Sequence, residues 1–287
     1  MSSVEADHLE RLLGHRPRHL DVQGGGDIAR SFRVTLHDGK PAMAKFRKTG
    51  QPGLKLEASM LDDLRKAGLP VPTTLAVDDD VLVLDWVDDG HRRFSEDEVQ
   101  RAAGAAIATL HQRDAGPAFG YGHETVLGSI PQPNHESSDW IAFFRDQRLL
   151  HMANRADDAG ELPATFRKRL DDVASRLAEW IPPGATPSLV HGDLWGGNML
   201  PTAEGGACFI DPAIYHGHGE VDLALATLFG SVGPAFFDGY GTVRELEPRF
   251  MPTRRHLYNL YPLLLHVTLF GQEYLSSLDG ALRRLGA

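Results

Sequence analysis

The chain has 287 residues, of which 42% are hydrophobic and 24% charged, and its formal net charge is −10. This length can bury a large core in one domain or in two lobes. The acidic balance argues against a broad nucleic-acid surface, which needs a basic face, but it allows a small phosphorylated ligand. The single cysteine, Cys208, excludes an intrachain disulfide and suits a reducing cytosol.

No apolar run reaches the roughly 18–20 residues of a membrane span. The best candidate, residues 260–271, is too short and contains a histidine. The N-terminus opens with acidic residues and lacks the apolar segment of a secretory signal. We therefore expect a cytoplasmic protein without membrane or nucleic-acid partners, and a monomer is compatible with the sequence.

The first part of the chain predicts five strands with one helix inserted after the third. The expected strands lie at residues 19–23, in 31–46 as two strands, at 73–79 and at 81–87. Asp38-Gly39 is typical of the turn of a hairpin. The inserted helix is expected over residues 52–68, because its leucines share one helical face and it ends at a glycine.

From Ser95 onward the pattern becomes mainly helical. Helices are expected at residues 95–112, 138–157 and 163–180 and in most of the chain after Gly219, with a short strand at 207–211. The outline is an α+β protein with a small antiparallel β lobe, a hinge and a large helical lobe. We place the boundary near Asp89-Gly90, which gives an N-terminal lobe at 1–89 and a C-terminal lobe at 90–287.

The segment LVHGDLWGGNML contains Asp193 and, five residues later, Asn198; Asp211 follows after the short strand ACFI. Phosphoryl transfer needs a carboxylate to position the acceptor hydroxyl and oxygen ligands to hold Mg²⁺. Protein kinases meet this need with H-x-D-x-x-x-x-N followed by a metal-binding Asp. The spacing therefore predicts Asp193 as catalytic base and Asn198 and Asp211 as magnesium ligands. The structural alternative is that Asp193 and Asn198 only cap a glycine-rich turn.

Lys45 lies in the third predicted strand between apolar neighbours, and Glu57 follows on the inserted helix. Such a lysine can brace the phosphates of ATP while it pairs with the glutamate. It can also be an ordinary charge on an edge strand. Lys48 and Lys55 compete for the role, but both lie in a more polar stretch between the strand and the helix.

Two further N-terminal segments have positions that suit ATP. Gly24, Gly25 and Gly26 lie between the first two strands and could cover the phosphates, although they match neither G-x-G-x-x-G nor the P-loop motif. Asp85, Trp86 and Val87 end the fifth strand where the lobes meet, and their backbone could contact adenine. The structural alternative is an ordinary hairpin turn for the three glycines and a plain strand end for the second segment.

The segment YHGHGEVD imitates a metal cluster through His216, His218, Glu220 and Asp222. A polar loop leading into a helix explains the same pattern, and we expect Asp222 to brace the catalytic loop. Trp195 lies two residues after the predicted base, where an aromatic ring could stack on a substrate or simply pack.

HGDLWGGN followed by FIDPAIYHGHGEVDLALATLFG resembles the fructosamine kinase family, which includes fructosamine-3-kinases and ketosamine-3-kinases. This family is a branch of the aminoglycoside-phosphotransferase-like, protein-kinase-like fold. Trp195, Asp211-Pro212 in place of Asp-Phe-Gly, and the Gly-His pair ending at His218 distinguish it. Weaker similarity extends over most of the chain, including the segments around Lys45 and Glu57.

The resemblance implies an ATP- and Mg²⁺-dependent kinase that phosphorylates a sugar hydroxyl of ketosamines, with the 3-position expected. The phosphorylated adduct would be unstable and release the amine, which repairs glycation. Asp193 matches the family's catalytic aspartate, Asn198 and Asp211 its metal ligands, Lys45 and Glu57 its phosphate-bracing pair. Trp195 matches a tryptophan at the sugar site, and His218 is either substrate-side or structural.

One departure is that the family usually reads LWSGN, whereas this chain has Gly196 at the serine position. Another is that GGGDIA lacks the cysteine that some relatives carry in the glycine-rich loop, so thiol control there is not available.

Three other functions are compatible with parts of the pattern. Another small-molecule phosphotransferase of the same fold could act on an aminoglycoside or choline. A non-catalytic nucleotide-binding protein would usually have lost at least one of the predicted catalytic residues. A serine/threonine protein kinase is disfavoured because the chain has neither Asp-Phe-Gly nor Ala-Pro-Glu.

Overall fold

The computed structural model describes residues 3–23, 29–113 and 115–287. The predicted glycine loop of Gly24, Gly25 and Gly26 lies outside the described residues. No helix in the described ranges is both long enough and apolar enough to cross a membrane.

The N-terminal part forms a five-stranded antiparallel sheet in the order β1-β2-β3-β5-β4. The strands are β1 (His19–Gln23), β2 (Ala29–Thr35), β3 (Pro41–Arg47), β4 (Thr74–Val77) and β5 (Val81–Asp85). Helix α2 (Leu54–Lys66) follows β3, as the sequence predicted. Helix α1 (Ser3–Leu13) precedes the sheet and was not predicted.

The two helices cover opposite faces of this sheet. Side chains alternate along a strand, so Ala44 of β3 packs with Leu9 of α1 on one face. Lys45, the next residue, points to the other face. Its antiparallel partner Leu82 belongs to a separate apolar cluster with Leu61 of α2. The pleat of β3 therefore directs Lys45 toward α2.

The chain after β5 runs without helix or strand until α3 and then becomes mainly helical. The helices are α3 (Asp97–His111), α4 (Trp140–Phe144), α5 (Leu150–Asp158), α6 (Ala164–Ser175), α7 (Glu220–Leu228), α8 (Pro234–Gly241), α9 (Arg255–Phe270) and α10 (Leu275–Arg284). They confirm the predicted helical half of the α+β fold.

Six short strands pair two by two within this helical part. They are β6 (Thr125–Leu127), β7 (Ile130–Gln132), β8 (Ser188–Val190), β9 (Met199–Pro201), β10 (Ala207–Phe209) and β11 (Tyr215–Gly217). The pairs are β6–β7, β8–β11 and β9–β10. Only β10 was predicted. The hairpin β9–β10 and the pair β8–β11 flank the segment that contains Asp193, so they fix both ends of the predicted catalytic loop.

Candidate active site

One buried carboxylate holds the backbone of the loop at 191–198. Asp222, near the start of α7 and only 1% exposed, accepts hydrogen bonds from the backbone N–H groups of His191 (2.7 Å) and Gly192 (2.8 Å). The ring of His111 from α3 lies 3.1 Å from the same carboxylate. These contacts satisfy backbone donors that would otherwise be buried without a partner. The prediction that Asp222 braces the loop is confirmed.

Asp193 and Asn198 contact each other across this loop. The Asn198 side-chain N–H₂ donates to Asp193 Oδ2 and to the Asp193 carbonyl oxygen, both at 2.9 Å. Burial and the nearby charge of Asp211 raise the pKa of Asp193 to about 7, although the Asn198 hydrogen bond opposes this shift. A carboxylate with such a pKa can accept a proton near neutral pH.

Asp211 directly follows Ile210 at the end of the β9–β10 hairpin and has a φ of 55°. This left-handed conformation is uncommon outside glycine, although aspartate tolerates it better than most residues. The turn brings the Asp211 carboxylate into contact with the ammonium group of Lys45 in the N-terminal sheet. Partial burial alone would raise the pKa of Asp211, but the Lys45 charge outweighs it and lowers that pKa.

Lys45 also pairs with Glu57 on α2, at 2.6 Å between Nζ and Oε1. Burial alone would lower the pKa of Lys45, but the charges of Asp211 and Glu57 raise it above its ordinary value. Burial raises the pKa of Glu57, which shares the ammonium group with Asp211. Lys55, one of the competing lysines, lies at the surface 3.4 Å from Asp79. The predicted pairing of Lys45 with Glu57 is therefore confirmed.

Asn198 and Asp211 have the donor chemistry that Mg²⁺ prefers. The Asn198 amide nitrogen is used by Asp193, which leaves the amide oxygen for a cation. The backbone N–H of Ile210 donates to the backbone carbonyl of Asn198 at 3.1 Å. This hydrogen bond places Asp211, the next residue, beside Asn198. Among the described residues, no group of three or more His, Cys, Asp or Glu is arranged to hold a metal. Mg²⁺ usually takes one or two protein carboxylates and completes its shell with phosphates and water, so this small set fits.

The predicted hinge residues lie at the end of β5 and directly after it. The backbone N–H of Asp85 donates to the Thr73 carbonyl at 2.9 Å, and its carboxylate accepts from the Thr73 N–H at 2.5 Å. The guanidinium group of Arg33 lies 4.6 Å from the centre of the Trp86 ring. Val87 is half-buried in the irregular segment beyond. These contacts anchor the strand end, and its role toward adenine stays a prediction.

Trp195 begins a row of aromatic rings that sequence reasoning missed. Its ring lies 5.8 Å from that of Phe229, which lies 5.2 Å from His266. His266 in turn lies 5.6 Å from Phe270 and 4.8 Å from Tyr274. We call these five residues the aromatic patch. The spacing of four between His266 and Phe270 was the available sequence signal, since such residues share one helical face. Tyr274 lies beyond the end of α9, so its place in the patch follows from the turn after the helix.

Gly196 and Gly197 are constrained by close neighbours. The Gly196 N–H donates to the Ser231 hydroxyl at 2.9 Å, and a Cβ at position 196 would lie 2.3 Å from the Ser231 Cβ. A serine at position 196 therefore does not fit while Ser231 stands opposite. A Cβ at position 197 would lie 2.2 Å from Cη2 of Trp195, so the indole ring lies directly over this glycine.

His218 is in the core rather than at an accessible surface, with 2% exposure. Its Nδ1 lies 2.9 Å from the Tyr258 hydroxyl, which accepts from the indole N–H of Trp140 at 3.0 Å. Burial, reinforced by nearby Arg244 and Arg254, lowers the pKa of His218 to about 3. Of its two predicted roles, the structural one fits this burial and these hydrogen bonds, and the substrate-side role stays a prediction.

The remaining acid of YHGHGEVD also has a protein partner. Glu220 forms a two-point ion pair with Arg254, at 2.6 and 2.7 Å. Together with the contacts of His218 and Asp222, this pair gives three of the four metal-like residues a protein partner. The fourth, His216, lies edge-on to the Tyr121 ring at 5.6 Å.

Comparisons with known proteins agree over nearly the whole chain. The family model described as fructosamine kinase matches residues 1–286. A curated relative from Enterococcus faecium, named a probable ketoamine kinase, is 31% identical over 261 residues, which is 89% of this chain and 91% of the relative.

Solved structures extend this similarity to the fold. A Thermobifida fusca crystal structure with the provisional name fructosamine-3-kinase superposes with a TM-score of 0.89 at 33% identity and covers 100% of both chains. The streptomycin–ATP complex of the aminoglycoside phosphotransferase APH(2″)-IIa has a TM-score of 0.64 at 15% identity, over 99% of this chain and 96% of that one. The second match shows the kinase-like fold alone.

Proposed function

Because the chain belongs to the fructosamine kinase family, a family of phosphotransferases, we propose that it transfers the γ-phosphoryl group of ATP to a sugar hydroxyl of a ketosamine. The observation that carries this proposal is the convergence of Asp193, Asn198, Asp211 and Lys45 from distant segments into one cluster. The expected acceptor is the 3-hydroxyl of a ribulosamine or fructosamine adduct, and the expected role is deglycation.

Each member of the cluster has one proposed role in the reaction. The Asp193 carboxylate orients the acceptor hydroxyl and takes its proton as the oxygen attacks phosphorus and ADP leaves. Lys45, held by Glu57, donates to phosphate oxygens. Asn198 and Asp211 hold Mg²⁺, which when bound neutralises charge on the phosphates.

The nucleotide contacts complete the proposal. We assign the adenine side to Asp85, Trp86 and Val87, and the cover over the phosphates to Gly24–26. On this basis residues 1–89 form the nucleotide-binding lobe and residues 90–287 the catalytic and substrate lobe. Lys45 and Asp211 belong to different lobes, and their contact supports a site between the two.

The test is ADP release from ATP with a panel of ribulose-, erythrulose- and fructose-lysine, together with kanamycin and choline. We expect turnover on at least one ketosamine, dependent on Mg²⁺ and lost when the ion is chelated. Two-dimensional ¹H–³¹P NMR of the product then locates the phosphate on the sugar. Turnover only on kanamycin or choline would keep the phosphotransferase chemistry and reject the ketosamine. ATP binding without any turnover would favour a non-catalytic nucleotide-binding protein.

A further inference from the structure

The aromatic patch (Trp195, Phe229, His266, Phe270 and Tyr274) is the main exposed aromatic surface of the protein. Trp195 is 38% exposed, and Phe229 and Phe270 are each 44% exposed. Within the described ranges, these are the three Phe, Trp and Tyr side chains that count as exposed, and all belong to the patch. Exposed apolar surface forgoes the free energy of burial, about 25 cal/mol per Å². Concentrated in one place, it marks a surface that a ligand covers.

The patch has a fixed position relative to the reacting centre. Trp195 follows Asp193 by two residues and lies over Gly197. Phe229 directly follows α7, and the segment after it is anchored through Ser231 to the Gly196 N–H. The Gly233 N–H donates to the side chain of the buried Gln100 at 2.8 Å, so α3 holds the same segment.

The far end of the patch is supported by α9. His266 and Phe270 are one helical turn apart, and Tyr274 follows in the next short turn. The His266 Nδ1–H donates to the carbonyl of Pro262 at 2.7 Å, which fixes the orientation of the ring. Successive rings lie about 5–6 Å apart, the usual spacing of aromatic pairs. The rings therefore form one continuous group that begins two residues after Asp193 and ends just beyond the C-terminal end of α9.

We infer that the aromatic patch binds the amine-side group of the ketosamine and selects adducts whose amine carries an aromatic or long apolar substituent. This inference rests on the proposed function, because the acceptor sugar must lie at Asp193. The sugar then directs its C1-linked amine past Trp195. The protonated secondary amine can lie over an aromatic face, and an apolar substituent can cover the rings beyond it.

The experiment compares two adducts of one sugar that differ only in the amine substituent. The sugar is the one that gives the highest rate in the panel, and the amines are methylamine and phenethylamine. Both adducts carry the same secondary ammonium charge, so their ratio of kcat/KM isolates the contact of the apolar group. We expect the wild-type protein to prefer the phenethylamine adduct by about 10- to 100-fold.

The variants Phe229→Ala and Phe270→Ala should each lower this ratio by about threefold or more, because they remove one exposed ring. Met251→Ala is the matched control, since Met251 is also an exposed apolar residue but lies in the turn before α9, at the end opposite to Phe270. It should keep the wild-type ratio.

Thermal unfolding of each variant checks that the fold is retained. Phe270→Leu keeps an apolar group at this position, so it should lower the ratio less than Phe270→Ala does.

A wild-type ratio near one, with both adducts phosphorylated, would overturn the inference and leave the proposed function intact. Ratios that stay unchanged in both alanine variants would also overturn it, because the preference would then arise elsewhere. Absence of turnover on every ketosamine would overturn the proposed function and this inference together.

Discussion

The polar part of the loop at 191–198 and the aromatic patch meet at Trp195 but are built in opposite ways. In the loop, buried polar groups have specific partners: Asp222 holds two backbone N–H groups, and Asn198 holds Asp193. In the patch, rings contact other rings and leave part of their surface in solvent. A buried polar network permits little displacement, whereas an exposed aromatic surface accepts ligands of different shape.

From this difference we expect the loop to determine the rate of phosphoryl transfer and the patch to determine which substrate is preferred. The loop positions Asp193, which we propose acts on the reacting hydroxyl, so a change there should affect every substrate by a similar factor. The patch lies beyond the reacting atoms, so a change there should alter the ratio between substrates.

The largest effect is expected for Asp193→Asn, because it removes the proton acceptor and keeps the shape of the side chain. The asparagine oxygen can still accept the hydrogen bond from Asn198. We expect kcat to fall by about 10²- to 10⁴-fold for small and large adducts alike. Steady-state kinetics on both adducts measures this, and binding of ATP by calorimetry should remain close to wild type.

Asp211→Ala provides the contrast, because this residue is assigned to the metal rather than to the acceptor. It should weaken Mg²⁺-dependent ATP binding in the same calorimetric assay. If Asp193→Asn retained near-normal kcat, or if Asp211→Ala bound the nucleotide as wild type does, the corresponding role would be wrong.

Asp222→Ala should give the largest loss of stability. It leaves the buried N–H groups of His191 and Gly192 without an acceptor, and each such loss costs about 1–3 kcal/mol. We expect the free energy of unfolding to fall by roughly 2–5 kcal/mol, with lower kcat on both adducts. Urea unfolding measures the first quantity. Asp222→Asn keeps one acceptor oxygen and should lose less, and a loss below about 0.5 kcal/mol in the alanine variant would contradict the bracing role.

The sequence predicted the loop better than the patch for a physical reason. Asp193, Asn198 and Asp211 are close along the chain, and their spacing matches the motif that phosphoryl transfer needs. The strand pleat likewise determines that Lys45 faces α2, so its pairing with Glu57 follows from local rules. These parts of the fold and site could be predicted from sequence alone.

The patch and the short hairpins could not be predicted in the same way. Trp195, Phe229 and the end of α9 come from three separate segments, and only tertiary packing brings them together. Strands of three residues, such as β6 and β11, are too short to show a period. Helix α1 is different, because Leu9, Leu12 and Leu13 have the spacing of an amphipathic helix and provided a usable signal.

Gly196 and Ser231 connect the two regions and should be energetically coupled. In Gly196→Ser the new Cβ meets the Ser231 Cβ at 2.3 Å, so we expect a loss of stability of about 1–3 kcal/mol from overpacking. The double variant with Ser231→Gly supplies the missing space and should recover most of this loss. A double-mutant cycle by urea unfolding gives the coupling, expected at about 0.5–3 kcal/mol.

The same coupling should affect the ratio of kcat/KM between the phenethylamine and methylamine adducts. Trp195 adjoins position 196, so its ring would shift when position 196 changes. Gly196→Ser alone should reduce the preference for the phenethylamine adduct, and the double variant should restore it. A single variant as stable and as selective as wild type would show that the Ser231 side chain moves aside at no cost, and the two regions would then be independent.

The smallest effect concerns His218, which joins both regions from within the core. It follows β11, the partner of β8 before the loop, and it contacts Tyr258 on α9, the helix that carries part of the patch. Burial lowers its pKa to about 3 in the folded protein, whereas an unfolded histidine has a pKa near 6.5. Between these values the unfolded chain binds a proton that the folded chain does not, so folding stability is full above about pH 6.5 and declines as the pH falls toward 3.

From pH 7 to pH 5 this single group should therefore remove roughly 2 kcal/mol of stability. In His218→Asn the amide occupies nearly the position of Nδ1 and does not titrate, so the variant should lose less stability over the same interval, although it starts lower at pH 7. Urea midpoints at the two pH values for both proteins give the difference. Equal losses in wild type and variant would mean that His218 is protonated in the folded state, and the core contact between β11 and α9 would then be weaker than its burial indicates.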